Sequence, residues 1–204
     1  MDARTLLLDH QRWVHSTSVT PSGWEWKMED SVCAGLTDAQ LRCCPQDNLN
    51  SIAWLLWHMA RCEDVAVNTV LRGEQEVLDR DNWLLHVGSG TRHIGTEDTS
   101  EEVRKLSARV DLTALRAYRA AVGHETRGWL SALDFTTLEG VVTLDDVERA
   151  RKRGAVSERA TWVLEYWERN VARTTLLSWL AVGHNYFHMG EARVIRGLLL
   201  DQAS

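Results

Sequence analysis

Apolar residues recur at intervals of three and four along most of this chain, which is the pattern of helices that bury one face. Alternation of apolar and polar residues, the pattern of half-buried strands, is scarce, and the chain has only two prolines. We therefore predict an all-α fold. Long helices are predicted over residues 3–15, 51–72, 112–133 and 173–200. Shorter helices are predicted over residues 22–34, after Thr37, and over 99–109, 143–153 and 158–168.

The last predicted helix carries two histidines and a glutamate in the middle of its apolar face. His184 and His188 are four residues apart, so their side chains project side by side, and Glu191 follows one turn later. A buried polar group without a partner costs about 1–3 kcal/mol. Three such groups on a core-facing surface favour a shared metal ion. Gly183 and Gly190 are expected to let a neighbouring helix approach closely.

Other interpretations of this histidine pair stay open from the residues alone. Two histidines at this spacing are more often partly exposed, or hydrogen-bonded separately in a core. The pattern also differs from the zinc-protease motif H-E-x-x-H, because Asn185 occupies the position of the catalytic glutamate. Peptide hydrolysis is therefore disfavoured.

The helix predicted over residues 51–72 carries two further candidates. His58 lies about 100° from the centre of the apolar face, beside Trp54 and Cys62, so it is able to face a neighbouring helix. Glu63 occupies a position on the apolar face, where a carboxylate needs a strong partner. About 140° of helix rotation separates Glu63 from His58, which favours a structural salt bridge over a shared ion.

Several remaining features have two possible roles. His10 lies on the inward face of the first helix, where a histidine bonded to a neighbour is favoured over a ligand. His124 falls off the apolar face and is expected in solvent. Residues 74–98 contain three glycines and no clear period, which indicates a binding loop or, more commonly, a mobile surface loop. The ten tryptophans serve either the core or a cavity wall.

Composition excludes some classes of partner. The formal charge of -6, the pI near 5.7 and the lack of a basic cluster disfavour nucleic-acid binding. No apolar run reaches the roughly 18 residues of a membrane span, and the first residues do not lead into a signal-peptide core. We expect one soluble, cytoplasmic domain over residues 1–204. The four cysteines lack C-x-x-C spacing and are expected to be free thiols.

Two segments together resemble the DinB-like (YfiT-like) superfamily of metalloenzymes. They are S-I-A-W-L-L-W-H-M-A-R-C-E-D over residues 51–64 and G-H-N-Y-F-H-M-G-E over residues 183–191. That family shows S-I-x-W-x-x-x-H-x-x-x-x-E on its second bundle helix and H-x-x-x-H-x-G-E/Q on its last. The resemblance implies a four-helix bundle with long crossover connections, to which short accessory helices are added here.

The resemblance also implies a metal centre. Its ligands here would be His58, His184 and His188, with Glu191 as a supporting group around one divalent metal. Zinc or nickel is the expected metal, with iron as an alternative. Characterised relatives are bacillithiol- and mycothiol-dependent S-transferases and a mycothiol-dependent maleylpyruvate isomerase. They imply a low-molecular-weight thiol and a small electrophilic substrate. Tyr186 or a tryptophan from the loop over residues 74–98 is the expected contact for that substrate.

Three functions compete at this point. The first is a metal-dependent thiol transferase or isomerase, with homodimerisation plausible for the family. The second is a non-catalytic protein, either with a structural metal or serving as a stress-related or dimerisation module. A fourth protein ligand would favour the structural metal, and His10, Cys62 and Glu191 are the candidates. The third is a helical interaction domain whose histidines bind no metal.

Overall fold

The computed structural model describes residues 2–21 and 26–201, and it confirms the all-α prediction. The chain is 68% helical. Within the described residues, β-type backbone pairing is limited to one isolated bridge between Val141 and Ala172. No helix in this part of the chain combines the length and the apolar character needed to cross a membrane.

Eleven α-helices are found in the described residues, and two π-helical segments extend or join them. Segment π1 (Val65–Arg72) continues α4, and segment π2 (Trp179–Gly183) joins α10 to α11. The helices are α1 (Ala3–Val14), α2 (Met28–Cys33), α3 (Asp38–Arg42), α4 (Ile52–Asp64), α5 (Trp83–Val87), α6 (Ser100–Arg109), α7 (Leu112–Ala132), α8 (Leu144–Lys152), α9 (Trp162–Trp167), α10 (Arg173–Ser178) and α11 (His184–Asp201).

Side chains at the helix starts explain where most helices begin. The hydroxyls of Thr37, Thr99 and Thr143 each accept a backbone N–H of the following turn, which confirms three predicted starts. Two predicted ranges are wrong. The helix expected over 22–34 begins only at Met28, and the one expected over 158–168 divides into a 3₁₀ turn and α9. Residues 22–25 lie outside the described residues.

Helix α4 lies at the centre of the fold. It packs against α7 and α11, and α1 packs against α7 and π2. These contacts fit the predicted four-helix bundle, although the exact arrangement stays a prediction. Every residue from Ile52 to Leu71 is buried. Besides the long helices, α3 and α6 contact α4, and α8 and α10 contact π1.

Polar side chains of α4 find their partners in residues 74–98. Arg61 donates from Nη2 to Glu76 (2.8 Å) and from Nε to the carbonyl of Arg92 (2.9 Å). The Asp64 carboxylate accepts the backbone N–H groups of Val77 (2.9 Å) and Leu78 (3.0 Å). Residues 74–98, which were expected to be irregular, contain a 3₁₀ turn and helix α5. The hydrogen bonds of Arg61 and Asp64 attach this stretch to α4.

We predict that removing the Arg61 guanidinium strongly destabilises the protein. Arg61→Met leaves the buried carboxylate of Asp64 without its cation and Glu76 with only the partly exposed Arg92, so the free energy of unfolding should fall by about 3–5 kcal/mol. Urea denaturation followed by circular dichroism measures this. Arg151→Met is the control, because Arg151 is 42% exposed where it pairs with Glu148, and it should cost at most about 1 kcal/mol. Equal losses in both variants would contradict the assigned role.

Candidate metal centre

His58 is oriented by groups on both sides of its ring. Its Nδ1 lies 2.5 Å from the carbonyl oxygen of Ile94. A carbonyl only accepts, so Nδ1 carries the proton and Nε2 keeps its lone pair. The ring stacks on Trp54, with the centroids 4.7 Å apart and the planes 10° from parallel. Trp54 is fixed in turn because its indole N–H donates to Asp98 at 3.0 Å.

His184 begins α11 directly after the π2 segment. Its backbone N–H donates to the carbonyl of Trp179, five residues earlier, as a π-helix requires. The neighbouring Asn185 is buried, and its Oδ1 accepts from Arg119 at 2.8 Å. Its Nδ2 lies 3.3 Å from the carbonyl oxygen of Leu180. Asn185 therefore supports the helix, in a position where a zinc protease would need a catalytic glutamate.

Three imidazole rings from α4 and α11 meet in one place. The Nε2 atoms of His58 and His184 lie 3.2 Å apart. The ring centroid of His188 lies 4.8 Å from that of His58 and 4.5 Å from that of His184. His188 donates from Nδ1 to Glu191 at 2.8 Å, and Glu191 also accepts from Asn50 at 2.9 Å. Nε2 is consequently the nitrogen that His58 and His188 each keep for a ligand.

Cys62 joins this group from one turn further along α4. Its Sγ lies 3.8 Å from Nδ1 and 3.9 Å from Nε2 of His58. One ligand atom each from His58, Cys62 and His184 lie within 4.8 Å of one another. Imidazole nitrogen and sulfur are donors that suit zinc, nickel, copper and iron. These three donor atoms are therefore a candidate site for a divalent metal, and the ring of His188 lies beside them.

Burial keeps His58 and His184 uncharged near neutral pH. It lowers the pKa of His58 to about 4, with the neighbouring His188 as a lesser cause, and lowers the pKa of His184 to about 2. Neutral imidazole is the form that binds metals. Burial also raises the pKa of the Cys62 thiol to about 12, so this sulfur is protonated near neutral pH.

The histidines lie at the base of a cavity of about 440 Å³. Its walls are mainly apolar, and four of the ten tryptophans are among them. Both roles considered for the tryptophans therefore occur, since Trp57 is fully buried in the core instead. The aromatic wall residues are Trp54, Trp162, Tyr166, Trp167, Trp179 and Phe187.

Comparison with known proteins identifies the family and the fold. The sequence profile of the DinB superfamily matches residues 24–192. The chain belongs to the DinB superfamily. A crystal structure of a conserved protein from Enterococcus faecalis is similar to it, with a TM-score of 0.72 and 20% identity over 98% of this chain and 99% of that one. At that identity the likeness shows a shared DinB-type fold alone. No curated protein matches the chain.

The structure of this DinB-superfamily protein also places the other candidate residues. Glu63 is fully buried and accepts from His15 (3.0 Å) and Asn185 (3.2 Å), which confirms its structural role. His10 contacts the Tyr186 hydroxyl at 2.9 Å. Neither residue of that pair lines the cavity, so the expected contact of Tyr186 with substrate is not supported.

The predicted role of Gly183 and Gly190 is wrong. A Cβ on Gly190 would meet no atom within 4 Å, so no neighbouring helix approaches there. A Cβ on Gly183 would lie 2.7 Å from the ring of Trp179, which belongs to the same helical run. Gly183 therefore makes room for a side chain of the cavity wall.

We predict that Cys62 resists alkylation in the folded, metal-free protein. Its raised pKa leaves little thiolate near neutral pH, and reactivity should appear only as the pH rises toward about 12. Iodoacetamide labelling followed by peptide mass spectrometry measures this. The half-buried Cys43 is the internal reference and should be labelled first. Labelling of Cys62 as fast as Cys43 would show a thiolate that burial does not predict.

Proposed function

We propose that this protein is a metal-dependent enzyme in which His58, His184 and His188 hold one divalent transition metal, zinc or nickel before iron. The observation that carries the proposal is the 3.2 Å approach of the His58 and His184 Nε2 atoms at the base of the aromatic cavity. A site of three histidines leaves coordination positions open for other ligands. A bound metal would supply Lewis acidity and favour a thiolate over a thiol.

The protein's own groups would orient the ligands and exclude water. The Ile94 carbonyl and the Glu191 carboxylate each hold one Nδ1–H, which fixes the direction of the opposite Nε2. The aromatic walls would shield the reacting groups from solvent. By resemblance to the thiol-dependent transferases and isomerase, we propose a low-molecular-weight thiol as cofactor and a small electrophile as substrate.

A structural metal is the second candidate, and the position of Cys62 favours it. Its sulfur lies within 4.8 Å of donor atoms on both His58 and His184. If Cys62 bound the ion together with the three histidines, four protein ligands would close the site, as in structural zinc sites. The protein would then bind metal without catalysing a reaction.

We predict about one equivalent of bound metal in the purified protein, which His58→Ala and His184→Ala abolish. Elemental analysis by mass spectrometry after dialysis against zinc measures the content, and circular dichroism checks the fold of each variant. His124→Ala is the control, since His124 is exposed on α7 and should keep the metal. Full metal content in a folded His184→Ala variant would disprove the assignment.

Cys62→Ser separates the open site from the closed one in the same assay. An open site of three histidines keeps its metal and affinity when this sulfur is removed. A closed structural site loses affinity, because serine replaces a soft sulfur ligand with a hydroxyl.

We predict that Glu191→Gln weakens metal binding without abolishing it. The amide no longer provides the charged acceptor for His188 Nδ1–H, and loss of such an outer partner costs about 10–100-fold in affinity. Competition with a fluorescent zinc chelator gives the dissociation constant. Glu165→Gln, on the exposed side of α9, is the matched control. An unchanged constant in Glu191→Gln would remove Glu191 from the site.

A further inference from the structure

The mouth of the cavity is built from aromatic rings that remain half exposed. The exposed fractions are 51% for Trp162, 50% for Tyr166, 48% for Trp179 and 65% for Phe187. All four rings line the same cavity. Exposed apolar patches of this kind mark binding sites, because burying them against a ligand removes apolar area from water. The cavity volume of about 440 Å³ lies within the range of small-molecule sites, about 300–1,000 Å³.

Charge is nearly absent from the walls. Among the described residues that line the cavity, none is lysine or arginine, and Glu97 is the single carboxylate. Glu97 already accepts the indole N–H of Trp162 at 3.2 Å, and the cation of Arg159 lies nearby. Above the three histidines, an anionic ligand would find no lysine or arginine in these walls, and an unpaired charge is costly in an apolar site. The walls therefore favour an uncharged ligand.

Gly183 determines the position of one cavity wall, the ring of Trp179. A Cβ at this position would lie 2.7 Å from Cε3 of Trp179, closer than Cβ atoms approach other atoms, and 3.1 Å from Cζ3, which is also a tight contact. Because glycine has no Cβ, the Trp179 ring lies against its own helix and packs edge-on to His184, with the centroids 6.1 Å apart. Any larger residue at 183 would displace the ring from this position.

We infer that the cavity takes a flat, uncharged aromatic molecule, and that Gly183 determines its fit by allowing Trp179 to form the wall above His184. This inference rests on the proposed function for the reaction at the base of the cavity. It names the substrate class of that site. Aromatic rings prefer offset-stacked or edge-to-face partners, so a planar ligand gains from walls of tryptophan, tyrosine and phenylalanine.

The test compares four probes of similar size on the zinc-treated full-length protein by isothermal titration calorimetry. They are naphthylmethanol, its saturated analogue decahydronaphthylmethanol, the cationic naphthylmethyl-trimethylammonium, and naphthalene sulfonate, a weak metal ligand. Naphthylmethanol should bind at least about tenfold more tightly than the sulfonate, which pays an unpaired-charge cost. It should also bind more tightly than the saturated and cationic probes. Tighter or equal binding of any other probe overturns the substrate class.

The role of Gly183 has its own variant and control. Gly183→Ala should fold, since alanine favours a helix, and it should keep its metal content while binding naphthylmethanol about tenfold more weakly or with a changed probe preference. Gly190→Ala, where a Cβ meets no neighbour, should behave as wild type. Unchanged probe binding in Gly183→Ala overturns the role of Gly183.

The same measurements distinguish this inference from the proposed function. Selective binding of naphthylmethanol to protein that takes up no zinc supports the cavity inference while the metal assignment fails. Zinc-loaded protein that binds none of the four probes overturns the cavity inference while the metal assignment stands.

Discussion

Complete burial of α4 is the constraint on which the rest of the structure depends. A polar side chain on a helix with no solvent-exposed face must find its partner inside the protein. Arg61 and Asp64 therefore bind residues 74–98, and Glu63 binds His15 of the chain after α1. His58 is satisfied at Nδ1 by a carbonyl, which leaves Nε2 facing another histidine. The candidate metal centre is the place where ordinary hydrogen bonding on α4 leaves a nitrogen available.

Elements far apart in sequence cooperate at this centre because each is fixed by a separate buried contact. Asn185 holds the start of α11 to Arg119 of α7. The hydrogen bond from Trp54 to Asp98 holds the indole ring against the flat side of His58. The π2 segment changes the rotation of the chain just before His184, and such segments frequently occur at functional sites.

The sequence was most informative where one helix face is covered and the other is not. Helix α11 meets this condition, so its apolar face predicted that His184 points inward. The same reasoning showed only that His58 is able to face a neighbouring helix. Because α4 has no exposed face, its apolar stripe does not distinguish inward from outward positions. Residues 74–98 are ordered by the Arg61–Glu76 ion pair and by hydrogen bonds to Asp64, which are tertiary contacts that a sequence period does not reveal. The packing of Trp179 on Gly183 was likewise hidden, since glycine spacing does not identify which side chain fills the space.

The aromatic cavity bears on whether a bound metal would be structural or catalytic. A structural site needs only a complete set of protein ligands around its ion. Half-exposed aromatic rings above such a site would stabilise neither the bound ion nor the folded protein. Here Trp162, Trp179 and Phe187 surround an opening that leads to His184 and His188. Cys62 lines the same cavity as a buried thiol, and it would lose its proton on binding a metal. Access to the histidines from the cavity therefore favours an open site of three histidines.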